Sequence, residues 1–183
     1  MSSGQFKSTY NLQNKPLIKR YSKTLSFLKK AVPAPVRVLD LGVKNLFTEI
    51  MEKEGYTVTN TPDGMDLDLD FQIVEQPDFE LVTAFEIFEH MVAPYNLLRN
   101  IQAPKLVASV PLRLWFATAY WNPNDAWDRH YHEFEPRQFN MLLQKSGWKI
   151  ISSEQWTSPV NKLGIRPILR RFYPRYYIVY CTR

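Results

Sequence analysis

The sequence predicts an α/β fold, a three-layer α/β/α sandwich on a mostly parallel seven-stranded sheet with an antiparallel edge strand. Three observations predict it. Short apolar runs of strand length alternate with segments of helical periodicity, as in parallel strands joined by crossover helices. The last two strand-like runs are joined without a long regular helix, which calls for antiparallel pairing. A chain of 183 residues, 45% hydrophobic and 22% charged, makes one ordinary domain with a real core, expected to span residues 1–183.

Residues 1–15 read as a loose polar arm. Residues 16–30 read as an amphipathic helix, with Pro16 in its first turn and Leu17, Tyr21, Leu25 and Leu28 at helical spacing. "AVPAPV" breaks it, and the core of the domain, residues 36–156, begins with the buried strand "VRVLDL". A helix over 46–54 ends at Gly55, and "YTVTN" is the second strand. "TPDGMDLDLD" (61–70) supplies a turn and a short acidic strand or loop. "FELVTAF" (79–85) is a strand that runs straight into a helix from Glu86 to Asn100. "KLVASVP" (105–111) stops at Pro111, and an aromatic-rich loop covers 112–134. "EPRQFNMLLQKSG" is a helix between Pro136 and Gly147. "WKIISSEQW" and "RYYIVYCTR" close the sheet, the latter within a basic segment and last strand at 157–183.

Composition narrows the classes. A single cysteine, Cys181, excludes an internal disulfide framework and a cysteine-based zinc site. No apolar run approaches the roughly 20 residues of a membrane span, and the N-terminus has no apolar signal core, so a cytoplasmic protein is expected. Charge is unevenly spread: all 18 acids lie between Asp40 and Glu154, while residues 1–39 hold eight Lys/Arg and residues 155–183 six. A basic frame around an acidic middle suggests an anionic partner for the termini: a phosphorylated carrier, a membrane surface or RNA. Ends that fold back and neutralise the middle would give the same pattern.

The order "VLDLG" (38–42), a polar strand end at Asn60, "FELVTAFEIFEHM" (79–91), "LVASVP" (106–111) and "HEFEPRQFNMLLQKSGWKI" (132–150) resembles the class I S-adenosylmethionine-dependent methyltransferases over residues 36–156. The resemblance implies a Rossmann-like fold, S-adenosylmethionine as cofactor, and contacts to it from Asp40, Gly42, Asn60, Asp68 and Phe85. The chain departs from the family in three places. The usual D-x-G-x-G-x-G run is here Asp40, Leu41, Gly42, Val43, Lys44, Asn45, Leu46, with one glycine kept. Asn60 stands where the family carries an acid for the ribose hydroxyls, and the helix between the second and third strands is missing. Two readings follow: a remodelled cofactor site, or a methyltransferase fold that binds no cofactor and acts as a binding module. For Asp66, Asp68 and Asp70 a solvated acidic turn is the competing account.

"EIFEHM" spaces Glu86, Glu89 and His90 at i, i+3 and i+4, one face of a helix. With a later histidine before "FE", it resembles the terminal 2′-O-methyltransferases of small RNAs and, in the E-x-x-E-H helix, the ubiquinone-pathway O-methyltransferases. That resemblance implies Mg²⁺ or Mn²⁺ on Glu86, Glu89, His90 and His132, a donor set that suits such ions. The other account makes His90 a packing residue and Glu86 a contact to the cofactor's amino group.

An alcohol acceptor needs a base. His132 is the first candidate and His130 its rival, with Glu86 a third catalytic candidate, and in an extended stretch both histidines would share one face. Trp115, Phe116, Tyr120, Trp121, Trp127 and Tyr131 can stack on a sugar or planar ring, or simply hold the loop down. The expected activity is methyl transfer to an oxygen or nitrogen of a small-molecule substrate, a sugar or glycan precursor. The alternatives are the non-catalytic binding protein and a metal-dependent RNA 2′-O-methyltransferase.

Overall fold

The computed structural model describes residues 15–158 and 163–183, so the expected arm lies almost wholly outside them. The elements run α1 (Lys15–Ala31), β1 (Arg37–Asp40), α2 (Leu46–Lys53), β2 (Thr57–Asn60), β3 (Leu81–Phe85), α3 (Pro94–Asn100), β4 (Lys105–Pro111), α4 (Pro136–Lys145), β5 (Lys149–Thr157), α5 (Ile165–Leu169) and β6 (Pro174–Thr182). The strands form one sheet in the order β2-β1-β3-β4-β6-β5. The first four are parallel, and β6 is antiparallel to both β4 and β5.

Alternation along the strands sends neighbouring side chains to opposite faces, and each face meets its own helices. Val38, Leu81, Val107 and Ile178 pack with Phe27 and Leu28 of α1, with Val32 just after it, and with Phe47 and Met51 of α2. Leu39, Val82, Leu106 and Val179 pack with Leu97 and Leu98 of α3 and Phe139 and Leu143 of α4. Two apolar layers therefore clamp a sheet buried on both faces, which is why its central strands read as unbroken apolar runs.

Two expectations need correction. The sheet has six strands, not seven: residues 66–70 fold as turns, followed by a 3₁₀ helix at Phe71–Glu75. Asp66 starts this turn by accepting the Asp68 amide at 3.0 Å, a local bond that competes with strand pairing. The segment after β3 is not a helix from Glu86 to Asn100. Glu86 has φ +59°, a left-handed conformation that ends the strand abruptly, and only Phe88–His90 form a 3₁₀ turn. Pro94 then starts α3 and keeps Ala93 out of the helical region, at φ −134° and ψ 64°.

The two sheet edges differ. β2 is four residues long. β5 is longer but its pairing with β6 slips between Ile150 and Ser152 and again between Trp156 and Thr157. No helix among the described residues is long and apolar enough to cross a membrane.

Much of the charge asymmetry is neutralised within the fold. Lys29 pairs with Glu54, Lys30 with Glu154 and Arg37 with Glu80. Arg183 donates to the carbonyls of Leu98, Ile101 and Ser146 and lies over the Trp148 ring, so it seals the ends of α3 and α4. Phe139 is fully buried against the rings of Phe88, Phe134 and Tyr177 and joins α4 to β6 and the turn after β3. Phe139→Ala should cost about 3–5 kcal/mol in urea denaturation. A loss near 1 kcal/mol would mean that this junction collapses to fill the gap.

Candidate active site

Strand order reverses direction at β1: the chain steps to β2 on one side and then crosses to β3 on the other. Loops leaving the two strands diverge there and open a crevice at their carboxyl ends. A cavity of about 590 Å³ occupies this place, within the range of roughly 300–1,000 Å³ common for small-molecule sites. Asp40, Gly42, Lys44 and Asn45 line one side, Phe85, Glu86, His90 and Ser109 the other, and Arg20, Tyr21 and Thr24 of α1 also face it.

Asp40 organises the first side. Its buried carboxyl accepts from Thr83 Oγ1 at 2.6 Å and from Asn60 Nδ2 at 3.0 Å. Burial pushes its pKa up to about 6, against the pull of those two hydrogen bonds. Asn60 also donates to the Gly42 carbonyl at 2.9 Å and to Thr48 Oγ1 at 3.2 Å, and it does not reach the cavity wall. Its amide thus binds β1, β2 and α2 together. A carboxylate there would place a second negative charge against Asp40, which explains why the neutral amide suits this site.

The substituted glycines are accommodated by capping. Asn45 accepts from the Phe47 and Thr48 amides, and Thr48 Oγ1 accepts from the Asn45 amide, so the loop closes as a capping box on α2. Lys44 turns its ammonium to Glu52 at 3.2 Å. A Cβ on Gly42 would meet Ile87 Cδ1 at 3.6 Å, an ordinary contact, so this glycine lines the cavity without being sterically compelled. Asp68 stands apart from the cavity. Its carboxylate accepts the Val92 and Ala93 amides, both at 2.7 Å, and so holds the turn before α3.

The far side gathers acids and histidines. The left-handed turn at Glu86 lets its amide donate to the Ser109 carbonyl while its carboxylate accepts from Ser109 Oγ at 2.8 Å. Arg20 Nη1 lies 3.6 Å from its second oxygen. Burial raises the Glu86 pKa, and Arg20 and Ser109 limit the rise. Glu89 is buried at 1% exposure, and its Oε2 has no hydrogen-bond partner among the described residues. Burial, reinforced by the charge of Glu86, holds its pKa well above the usual range. Its backbone carbonyl accepts the Tyr131 and His132 amides and so pins the long loop to this turn.

Both imidazoles of the cluster are oriented by acceptors. His90 Nδ1 lies 3.1 Å from the Arg129 carbonyl, and His130 Nδ1 lies 3.1 Å from Glu133 Oε1. Neither partner can donate, so each Nδ1 is the donor, and in the neutral ring it is Nε2 that carries the lone pair. The rings meet edge to face at 4.9 Å. Ligand atoms of Glu89, His90 and His130 lie within 4.8 Å of one another. A buried carboxylate with one unpartnered oxygen, grouped with two such imidazoles, fits a divalent cation, because metal-binding histidines are oriented by this kind of second contact.

The structure therefore brings Asp40, Gly42, Phe85, Glu86 and His90 to one cavity, with Glu89 and His130 behind His90. It does not bring in His132, whose Nε2 donates to the Val92 carbonyl at 3.2 Å. Residues 130–132 are not a strand, so the two histidines do not share a face. None of the loop aromatics lines the cavity; Trp121 stacks under Arg129 instead, and Asp128 is the loop's contribution to the wall. Arg20, Thr83 and Ser109 were not singled out from sequence. Thr83 and Ser109 carry a readable signal, as lone hydroxyls inside apolar strands.

A family model described as "Methyltransferase domain" matches residues 11–153. No curated protein matches the chain in sequence. The fold is similar to an S-adenosylmethionine dependent methyltransferase from Mesorhizobium loti, with 17% identity, TM-score 0.62, and coverage of 88% of this chain and 96% of that one. It is similar to 1,6-didemethyltoxoflavin-N1-methyltransferase from Burkholderia thailandensis, with bound 1,6-didemethyltoxoflavin and S-adenosylhomocysteine, at 16% identity and TM-score 0.62 over 89% and 77% of the two chains. A SAM dependent methyltransferase from Archaeoglobus fulgidus gives 14% identity and TM-score 0.61 over 89% and 94%. Identities this low establish a shared fold alone.

The Asp40 environment has a measurable consequence. A carboxyl whose pKa is about 6 when folded and roughly 3.9 when unfolded binds its proton more tightly in the native state. Its contribution is complete below pH ~4 and is lost as pH rises through ~6, a change of roughly 3 kcal/mol. The stability difference between wild type and Asp40→Asn, read from urea denaturation at several pH values, should shift by this order against wild type between pH ~4 and ~7. Parallel profiles would show that Asp40 is not held in a proton-favouring site.

Proposed function

The chain belongs to the methyltransferase-domain family, and from that premise we propose that it transfers the methyl group of S-adenosylmethionine to an oxygen or nitrogen of a small molecule, with a hydroxylated sugar or glycan precursor as the substrate class. One observation carries this reading: Asp40 and Gly42 share a single cavity with Glu86 and His90. A cofactor side and a proton-handling side thus face each other across a space of small-molecule size.

Asp40, Gly42, the backbone of residues 43–45 and Phe85 would hold the cofactor. When bound, it supplies an electrophilic methyl carbon on a sulfonium. The chain's task is to orient the acceptor and remove its proton. Glu86 faces the cavity with Ser109 and Arg20 fixing its two oxygens, so it is positioned to take that proton. Its burial raises its basicity in the direction the task needs. With no metal held, His130 has the stronger case over His132 among the histidines, because its ring stands against His90 at the cavity.

Glu89, His90 and His130 would hold a divalent cation, Mg²⁺ or Mn²⁺, which lowers the proton affinity of a bound hydroxyl. The orphaned Glu89 oxygen supports this assignment. Manganese binding, followed by calorimetry or electron paramagnetic resonance on protein alone, should be lost in Glu89→Gln and kept in His132→Ala. Equal affinity in wild type and Glu89→Gln would remove the metal from the reading.

Calorimetric titration of metal-free protein with S-adenosylmethionine and S-adenosylhomocysteine tests the cofactor side. Micromolar binding is expected. A folded sample that binds neither at millimolar ligand would favour a binding protein without catalysis. On the chemical side, Glu86→Gln should lower turnover by about 10²–10⁴ while cofactor affinity stays within about threefold. Equal loss of both would make Glu86 a cofactor contact instead of a base.

A further inference from the structure

Among the described residues, the surface near the carboxyl end of β4 carries apolar and basic side chains that are largely open to solvent. Leu163 is fully exposed, and Ile165 and Phe172 are exposed at 79% and 74%. Ile168 and Tyr173 are exposed too, and Trp115, 67% exposed, meets Tyr173 with ring centroids 6.1 Å apart. The patch therefore runs from the short helix α5 and the turn after it onto the loop that follows β4. Arg166, Arg170 and Arg171 are interleaved with these residues, and among the described residues none of the three has an acidic partner. Their neighbours in the basic tail are already committed, since Arg175 donates to the Leu112 carbonyl and Arg183 seals α3 and α4.

We propose that this face, Leu163–Tyr173 with Trp115, docks the protein on an anionic lipid bilayer. Two properties choose the occupant. A cluster of exposed apolar side chains of this size marks a contact surface, and a bilayer interface accepts them at varied depth without a shaped partner. Three unpaired arginines beside them complement anionic headgroups, and like charge opposes a second copy of this chain docking face to face. Nucleic acid would satisfy the arginines but leave Leu163, Ile165 and Ile168 exposed, because aliphatic side chains offer no stacking surface to bases.

The place of the patch matters. The segment leads directly into β6, whose Tyr176 ring carries Arg20 at 5.7 Å, and Arg20 lines the cavity. The Leu112 amide donates to the Arg175 carbonyl at 2.7 Å, which ties the patch to the carboxyl end of β4. Docking there holds the open end of the sheet at the bilayer surface. This inference does not depend on the methyl-transfer reading, because vesicle binding needs neither cofactor nor substrate.

The test is co-sedimentation of the full chain with phosphatidylcholine vesicles and with mixed phosphatidylcholine–phosphatidylglycerol vesicles. Binding is expected only to the anionic vesicles, and it should weaken as salt rises. Arg166→Gln/Arg170→Gln/Arg171→Gln together should reduce partitioning roughly a hundredfold. Ile168→Ser with Phe172→Ser should reduce it about tenfold or more. Four of the five residues are exposed and Arg170 is half-buried, and circular dichroism melting should show both variants folded. A single-stranded oligonucleotide in place of vesicles separates the polyanion alternative: binding that needs the arginines but ignores the serine substitutions would assign the face to nucleic acid and overturn the proposal. Equal partitioning to neutral and anionic vesicles, or none to either, would overturn it too.

Discussion

The carboxyl end of β1 is the point on which the rest of the site depends. Asp40 accepts the Thr83 hydroxyl from β3 and the Asn60 amide from β2, and its backbone carbonyl accepts the Thr61 and Gly42 amides. One residue therefore fixes how two neighbouring strands end and where the following loop begins. The cost is a buried acid, which the fold meets with hydrogen bonds but no opposite charge. That balance leaves the carboxyl poised near neutrality, whereas a salt-bridged acid would be ionised far below it.

The opposite wall is built by a different device. A left-handed residue just after β3 turns the chain through a corner too sharp for a helix, and Glu86 is held in that conformation by three contacts to two residues, Ser109 and Arg20. The corner brings Glu89 into the core and His90 to the cavity, and Glu89's carbonyl then anchors the loop that delivers His130. Helix α1, outside the sheet's own crossover pattern, supplies Arg20 to this wall. Acid–base chemistry on one side and cofactor contacts on the other are thus set by two strand ends that are neighbours in the sheet.

The strands were legible because a sheet covered on both faces must be apolar without interruption, as in Leu106–Val110. Helices α1, α2 and α4 were legible from their caps and periodicity, as with Pro136 and Gly147 around α4, whereas the short α5 was not. The corner at Glu86 was not, because Phe88 and Met91 also satisfy a helical pattern and a left-handed glutamate leaves no mark in composition. The choice between His130 and His132 was equally hidden. It is made by His90 and by the Val92 carbonyl, each about forty residues away in the chain, and spacing along the loop says nothing of either. The charge frame was legible as a pattern but mixed in meaning: several termini cations neutralise the acidic middle, and Arg166, Arg170 and Arg171 do not.

The two ends of the sheet bear on how the protein survives while folding. An open sheet offers unpaired backbone at its margins, a template onto which another chain can add a strand. Here one margin is β2, too short to present more than a few donors and acceptors, and the other is β5, whose two register shifts break the regular spacing a foreign strand would need. A single-residue deletion that restored regular register in β5 would therefore be expected to trade solubility for a smoother sheet.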